Sequence, residues 1–318
     1  MEALQEREIS GKSTNLPVRL QCPRCAMPLR GTSCNQCGFI LRMENGIWKA
    51  MTEERLEYYA QFIHDYERIR SAEGRGSSSP DFYLNLPYKD VSGTNDKQWA
   101  IRARSFLYLV RHLLNQHSAD SPMRVLDLGA GNGWLSYRLA LSGHHPFAVD
   151  LLTNAFDGLG AAENYQEQLL KLFPRFQAEC AHLPFASNQF DAAIFNASFH
   201  YSEDYRGSLS EALRCVKSGG LVVICDTPWY AADESGRRMV AERHRHFLST
   251  YGIASDSIRS MEYLTDERLK ALERDFSIRW DIHTPWYGFQ WAARPLVARI
   301  RRRREPSHFR IYSTRKVA

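Results

Sequence analysis

Val125-Leu-Asp-Leu-Gly-Ala-Gly-Asn-Gly-Trp-Leu-Ser-Tyr-Arg-Leu139 joins a short apolar run to three alternating glycines and then to a helical pattern. Val125, Leu126 and Leu128 suit a strand buried on both faces. Gly129, Gly131 and Gly133 permit a tight turn whose backbone can lie against a ligand before the next helix begins. A ligand is therefore expected at the strand's carboxyl end. The spacing is G-x-G-x-G, whereas dinucleotide-binding turns carry G-x-G-x-x-G with the last glycine inside the helix, and here Asp127 stands two residues before the first glycine. That departs from a nicotinamide site.

With this acid and these glycines, the stretch resembles the first motif of the class I methyltransferases that use S-adenosylmethionine. The resemblance implies that Asp127, Gly129, Ala130, Gly131 and Gly133 face the cofactor. His145-Pro-Phe-Ala-Val-Asp150 reads as a second strand ending in an acid, and the resemblance implies that Asp150 accepts both ribose hydroxyls, with Leu151 beside it. An ionised carboxylate can take both protons of a diol, and ribose-binding Rossmann folds use an acid at the same place. Gln177-Ala-Glu-Cys-Ala-His-Leu-Pro-Phe185 is similar to the metabolite-type branch of the family. There the resemblance sets Glu179 at the adenine amino group, where the family usually has Asp, and the amide of Cys180 at a ring nitrogen. It also places the end of a strand over Asp191–Ala197 beside the transferable methyl, so that Asn196, His200 and Tyr201 border the reaction site. An imidazole titrates near neutral pH, which makes His200 the first candidate for a general base and Tyr201 the second. A hydrogen-bonded histidine that merely closes the strand is an equal reading of His200.

The rest of the chain extends the alternation. Leu209–Val216 reads as a helix, Ser218-Gly-Gly220 as a turn and Leu221–Cys225 as a buried strand, while Ile278–Thr284 and Phe309–Thr314 alternate like a closing antiparallel pair. The expected fold is α/β: a doubly wound, mostly parallel seven-stranded sheet of the Rossmann-like methyltransferase kind, preceded by a zinc ribbon. Three parts are expected: a ribbon at 16–50, a helix and lid or linker at 51–97, and the cofactor-binding domain at 98–318.

Cys22-Pro-Arg-Cys25 and Cys34-Asn-Gln-Cys37-Gly38 carry the ribbon reading. Two C-x-x-C pairs offer four thiolates, which fill a tetrahedral zinc site and leave no position open for catalysis, so the expected role is structural. Iron in a rubredoxin-like knuckle is the minor alternative. Seven cysteines are an odd number, and Met1–Arg7 holds no apolar signal region, so the chain reads as cytoplasmic and reduced. No apolar run is long enough for a transmembrane helix. A ribbon this small needs its metal or a neighbour to be stable.

Between ribbon and core, Leu56, Tyr59, Ala60, Ile63 and Tyr66 form one apolar face of a helix over Glu53–Arg70, and Ser71–Pro80 reads as a loop. The aromatic segment Phe82–Tyr88 is expected either as a lid or as packing against the sheet. Gln98–Asn115 is an amphipathic helix with Arg102 and Arg104 on different faces; either could hold an anionic substrate group, though a surface role suits each.

Charge is uneven. The 318 residues carry a net +5, yet residues 294–318 alone hold nine Arg or Lys against one Glu, and five of the arginines fall within Arg299–Arg304. Trp286-Tyr-Gly-Phe-Gln-Trp291 and Pro295–Ala298 put aromatic and aliphatic groups beside them. RNA, an anionic membrane surface near a lipid-linked substrate, and a solvated insertion between the last two strands all fit this pattern. The functional expectation is methyl transfer from S-adenosylmethionine to a small or lipid-linked metabolite. The alternatives are an RNA methyltransferase, since one bacterial ribosomal RNA guanine methyltransferase also joins a zinc ribbon to this fold, and a non-catalytic zinc-ribbon activator module.

Overall fold

The computed structural model describes residues 16–114 and 122–317. The Met1–Arg7 reading and the Asn115 end of the third expected helix lie outside the described residues. One sheet runs through the chain, built from β1 (Arg42–Glu44), β2 (Ile47–Lys49), β3 (Arg124–Leu128), β4 (His145–Asp150), β5 (Arg175–Gln177), β6 (Phe190–Asn196), β7 (Val216–Cys225), β8 (Asp281–His283) and β9 (Ile311–Arg315). Their order is β1-β2-β5-β4-β3-β6-β7-β9-β8. The seven strands from β3 to β9 match the expected count, with β9 antiparallel to both β7 and β8. The ribbon adds the other two: β2 runs parallel to β5, with Ile47 opposite Arg175. The ribbon is thus continuous with the main sheet.

Side-chain alternation explains why both faces of the sheet are covered. Leu126, Leu128, Phe147 and Val149 enter one apolar cluster, whereas Val125, Ala148, Ile194 and Val223 enter another. Parallel strands buried on both sides need such unbroken apolar runs. Leu20, Cys22, Cys34, Phe39 and Leu41 of the ribbon join the first cluster, together with Phe176 and Phe185.

Two local expectations are corrected. Helix α5, which spans Tyr205–Cys215, ends one residue early, and Val216 already pairs with Phe190. Ala192 next pairs with Leu221, so Lys217–Gly220 bulges out between two paired stretches of β7 instead of standing before it as a turn. The segment expected either as a lid or as packing against the sheet carries helix α2 (Pro80–Asn85), in which Phe82 and Tyr83 are fully buried, as is Leu86, so the packing alternative holds. The Tyr83 hydroxyl donates to the Phe156 carbonyl at 2.7 Å. Residues 82–88 line neither cavity described below: Phe82, Tyr83 and Leu86 pack into the core, and Tyr88 is exposed.

The roof comes instead from α1 (Glu53–Ala72). Thr52 caps it by accepting from the Arg55 amide, and Glu53 and Glu54 occupy the positive first turn. Its buried residues are Tyr59, Phe62, Asp65 and Ile69, so the inner face is turned from the expected stripe and Ala60 is exposed.

Candidate active site and metal centre

A cavity of about 440 Å³ opens at the carboxyl ends of β3, β4 and β6, where open α/β sheets take their ligands. Gly129 has φ +73°, and a Cβ there would lie 2.2 Å from Ser198 Cβ, so the turn presses on the residue that follows β6. Ala130, Gly131 and Asn132 continue the lining. Gly133 does not. It sits at φ +77° as the N-cap of α4 (Trp134–Leu141), where an added Cβ would stand 3.1 Å from the Phe173 ring. Its place among the ligand contacts is therefore corrected: this glycine serves the helix start and its packing.

The two acids the sequence singles out here both line the cavity. Asp150 Oδ2 accepts from the Gly131 amide at 2.7 Å and Oδ1 from the Leu152 amide at 2.8 Å, which ties the second strand's end to the glycine turn. Burial raises Asp150 to about 6 in spite of these amides. Asp127 is buried, and its Oδ2 accepts from the Ser136 amide and hydroxyl at 3.1 and 2.8 Å. Its Oδ1 has no partner among the described residues. Burial raises Asp127 to about 7. A buried carboxylate oxygen without a donor costs desolvation energy, and a ligand that brings a donor or a positive charge relieves that cost.

Leu151, Glu179, Cys180 and Asn196 line the same cavity. Glu179 is also held from α1. Arg55 on α1 meets it with Nε to Oε1 at 2.9 Å and Nη2 to Oε2 at 2.7 Å, and His182 Nδ1 lies 3.2 Å from Oε1. Burial pushes this carboxyl up, but His182 and Arg55 outweigh it and hold it at about 2. Both oxygens take part in an ion pair that anchors α1, and a carboxylate that lines the cavity still has acceptor sites to offer a ligand. Tyr59 adds a hydroxyl bond to Glu203 at 3.0 Å, and Arg70 closes the far end on Asp157 at 2.6 Å. Arg55, Tyr59, Phe62, Tyr66 and Arg70 all line the cavity. The sequence reading assigned none of these five to a site; Arg55 and Tyr59 stand four residues apart, which puts a cation and a ring on one helix face.

His200 does not border this first cavity. It lines a second one of about 230 Å³, which shares Phe62, Tyr66, Arg70, Arg102, Ala197 and Tyr201 with the first. Its Nδ1 is buried without a partner among the described residues, and burial lowers the imidazole to about 4, so it is neutral at pH 7. Tyr201 stands between the cavities and packs edge-on to Tyr66. The backbone beside them is strained. Ala197 and Asp226, each just past the end of a neighbouring strand, have φ +55° and +51°, left-handed values that cost a non-glycine residue about 1–3 kcal/mol.

At the other end of the chain, Cys22, Cys25, Cys34 and Cys37 bring their sulfur atoms within 4.8 Å of one another. Two approaches are 3.5 Å (Cys22–Cys37) and 3.4 Å (Cys25–Cys34), near the sulfur–sulfur edge of about 3.8 Å that follows from tetrahedral Zn–S bonds of about 2.3 Å. Each pair folds into the same turn: the Ala26 amide donates to Cys22 and the Gly38 amide to Cys34, with φ +61° and +72°. The donor set fits a four-thiolate ion.

A family described as a methyltransferase domain matches residues 126–224. The demethylmenaquinone methyltransferase of Clavibacter sepedonicus is 33% identical over 103 residues, covering 32% of this chain and 40% of that protein. That of Thermus thermophilus is 28% identical over 177 residues, covering 52% and 79%. The malonyl-[acyl-carrier protein] O-methyltransferase of Erwinia pyrifoliae is 31% identical over 111 residues, covering 35% and 40%. Among solved structures, 1,6-didemethyltoxoflavin-N1-methyltransferase of Burkholderia thailandensis is 20% identical with a TM-score of 0.45, covering 80% of this chain and 91% of that one. The Asp127-x-Gly-x-Gly turn and the acid at the end of β4 both fall within residues 126–224, the stretch that matches the methyltransferase-domain family.

Proposed function

We propose that the chain transfers a methyl group from S-adenosylmethionine to a small or lipid-linked metabolite, and that zinc bound by Cys22, Cys25, Cys34 and Cys37 holds its ribbon. The observation that carries the first reading is the cavity against the glycine turn, with Asp150 at its rim and an unpartnered Asp127 oxygen in its wall. When bound, the cofactor supplies a methyl on positively charged sulfur. Asp150 would take the ribose hydroxyls, Asp127 would face the positive end, and the turn would lie along the chain between them. The protein's task is to align and to exclude water; holding an acceptor in line is worth on the order of 7–11 kcal/mol. Roofed by Phe62 and Tyr66, the junction between the cavities is suited to that task. His200 and Tyr201 would border the acceptor, and the neutral His200 can accept a hydrogen bond from a protonated nucleophile at Nδ1.

Calorimetry with S-adenosylmethionine tests the cofactor, and a radiolabelled-methyl screen of small metabolites, lipid extract and total RNA tests the acceptor. Label in the metabolite or lipid pool is expected; label in RNA alone would overturn the acceptor class. The same titration carries a pH prediction. Burial raises both Asp127 and Asp150, so each holds a proton above the ordinary carboxylate range, and a cationic, diol-bearing ligand needs both ionised. Binding must then expel protons, and affinity should rise as pH increases from about 5.5 to 7.5. Titration at pH 6.5 in buffers of different ionisation enthalpy reads the release directly. Equal heats in all buffers would remove the two carboxylates from the contact.

We also infer that the basic segment meets an anionic lipid surface, which is how a lipid-linked acceptor would reach the site. It forms the insertion between β8 and β9, where Trp286, Phe289, Leu296 and Ile300 are exposed beside exposed Arg299, Arg301, Arg302 and Arg303. Arg304 differs from the other four, since it pairs with Glu242 at 2.5 Å. Changing the four exposed arginines to Gln should cost about 1 kcal/mol each, or on the order of 10³-fold in partition onto anionic vesicles. Sedimentation at matched ionic strength checks this, and a variant that still sediments while losing RNA affinity would favour the nucleic-acid reading.

A further inference from the structure

The second cavity has a charge balance of its own. Of the cations that line it, Arg70 is paired with Asp157, Arg75 with Glu73 at 2.9 Å, and Arg243 with both oxygens of Glu262. Arg102 is different. Among the described residues no carboxylate comes within ion-pair distance of it; its guanidinium lies 4.8 Å from the Trp99 ring centre, at the junction of both cavities. Among the described residues, three buried polar atoms around the same space also lack partners: His200 Nδ1, Asp226 Oδ2 and Arg243 Nε. His200 and Asp226 are 9% and 4% exposed. Ser105 donates to Asp226 Oδ1 at 2.5 Å, and the other oxygen has no partner among the described residues. The remaining walls are apolar, formed by Phe62, Ile69, Ile101, Phe247 and Phe309. Buried polar atoms are rarely left unmatched, and a cation without a direct ion pair, attracted only at longer range by Asp226 and Asp157, is a place for an anion in a half-apolar pocket.

We propose that this second cavity is the acceptor subsite and that it takes an apolar, ring-sized acid whose single carboxylate is held by the Arg102 guanidinium, while His200 Nδ1 and Asp226 Oδ2 are acceptors for a hydroxyl or amino donor on the ring. The proposal rests on the methyltransferase reading only in naming the occupant as the methyl acceptor. The planar fork of arginine matches a carboxylate in two parallel bonds, and the neutral amide of the same shape cannot answer it. The four aromatic walls Phe62, Tyr66, Phe247 and Phe309 then select for a flat apolar body.

The test uses 1-naphthoate and its uncharged counterpart 1-naphthamide, titrated calorimetrically into the full chain with and without saturating S-adenosylhomocysteine. The acid is expected to bind at least about tenfold more tightly than the amide, because only the acid gains a charge-assisted pair. Arg102→Gln should bring the ratio to about one, and Arg102→Lys should keep an intermediate preference as a point charge without the fork. Arg102 donates no described hydrogen bond that its loss would orphan, and thermal melting verifies folding of both variants. Equal affinity of acid and amide for the wild-type protein, no binding of the acid, or an undiminished ratio in folded Arg102→Gln would each overturn the proposal. Failure of S-adenosylhomocysteine to bind, with the acid preference intact, would strike the methyltransferase reading and leave the anion site standing.

Discussion

Asp150→Ala is expected to weaken S-adenosylmethionine binding by about 10²–10⁴-fold, since two hydrogen bonds to a charged acceptor, each worth about 1.5–3 kcal/mol, would disappear. The structure adds a second reason for a large effect. The same carboxylate holds the Gly131 and Leu152 amides, so its loss frees the glycine turn as well as the ribose contact. Asp150→Asn separates the two, because an amide keeps one acceptor oxygen and the shape of the side chain but not the charge. It should fall between wild type and alanine. Calorimetry on variants whose melting is cooperative is the measurement, and unchanged affinity in folded Asp150→Ala would remove the cofactor assignment altogether.

Metal removal is expected to be felt far from the metal. Cys22 and Cys34 are buried in the apolar cluster that also contains Leu126, Phe147 and Phe176 of the central strands. Zinc stabilises isolated zinc-finger peptides by about 10–16 kcal/mol, and even a third of that would shift the midpoint of a chain this size by on the order of 10 °C. We therefore expect one zinc per chain by metal analysis, and a single cooperative transition that moves down on chelation or in Cys34→Ser. Iron in the purified protein, or an unshifted main transition with only the ribbon melting early, would contradict this account.

Legibility in the sequence followed distance along the chain. Asp127, the glycine turn, Asp150 and the four cysteines lie in short motifs whose spacing carries their geometry, and the structure brings each of these sets together. What the sequence did not reveal is assembled over long separations. Arg55 meets Glu179 from 124 positions away, and Arg70 meets Asp157 from 87. No local pattern marks α1 as the roof of a cavity rather than a helix packed on a core. The second cavity draws on residues from Phe62 to Phe309, and only the folded chain shows that Arg102, one of two arginines that sequence leaves equivalent, is the one that lines both cavities. Gly133 was misassigned for the opposite reason: its motif is local, but a left-handed residue before a helix has a purely structural explanation.

The hairpin of β1 and β2 has one more consequence. A sheet that ended at β5 would present an unpaired row of amides and carbonyls in a largely apolar setting, a template on which another chain can add. The ribbon covers that row and leaves at the boundary only the three residues Arg42–Glu44, charged at both ends; the opposite boundary is the equally short Asp281–His283. Seen this way, residues 16–50 cap one edge of the sheet, and a chain trimmed of them would trade a four-cysteine cluster for a sticky flank.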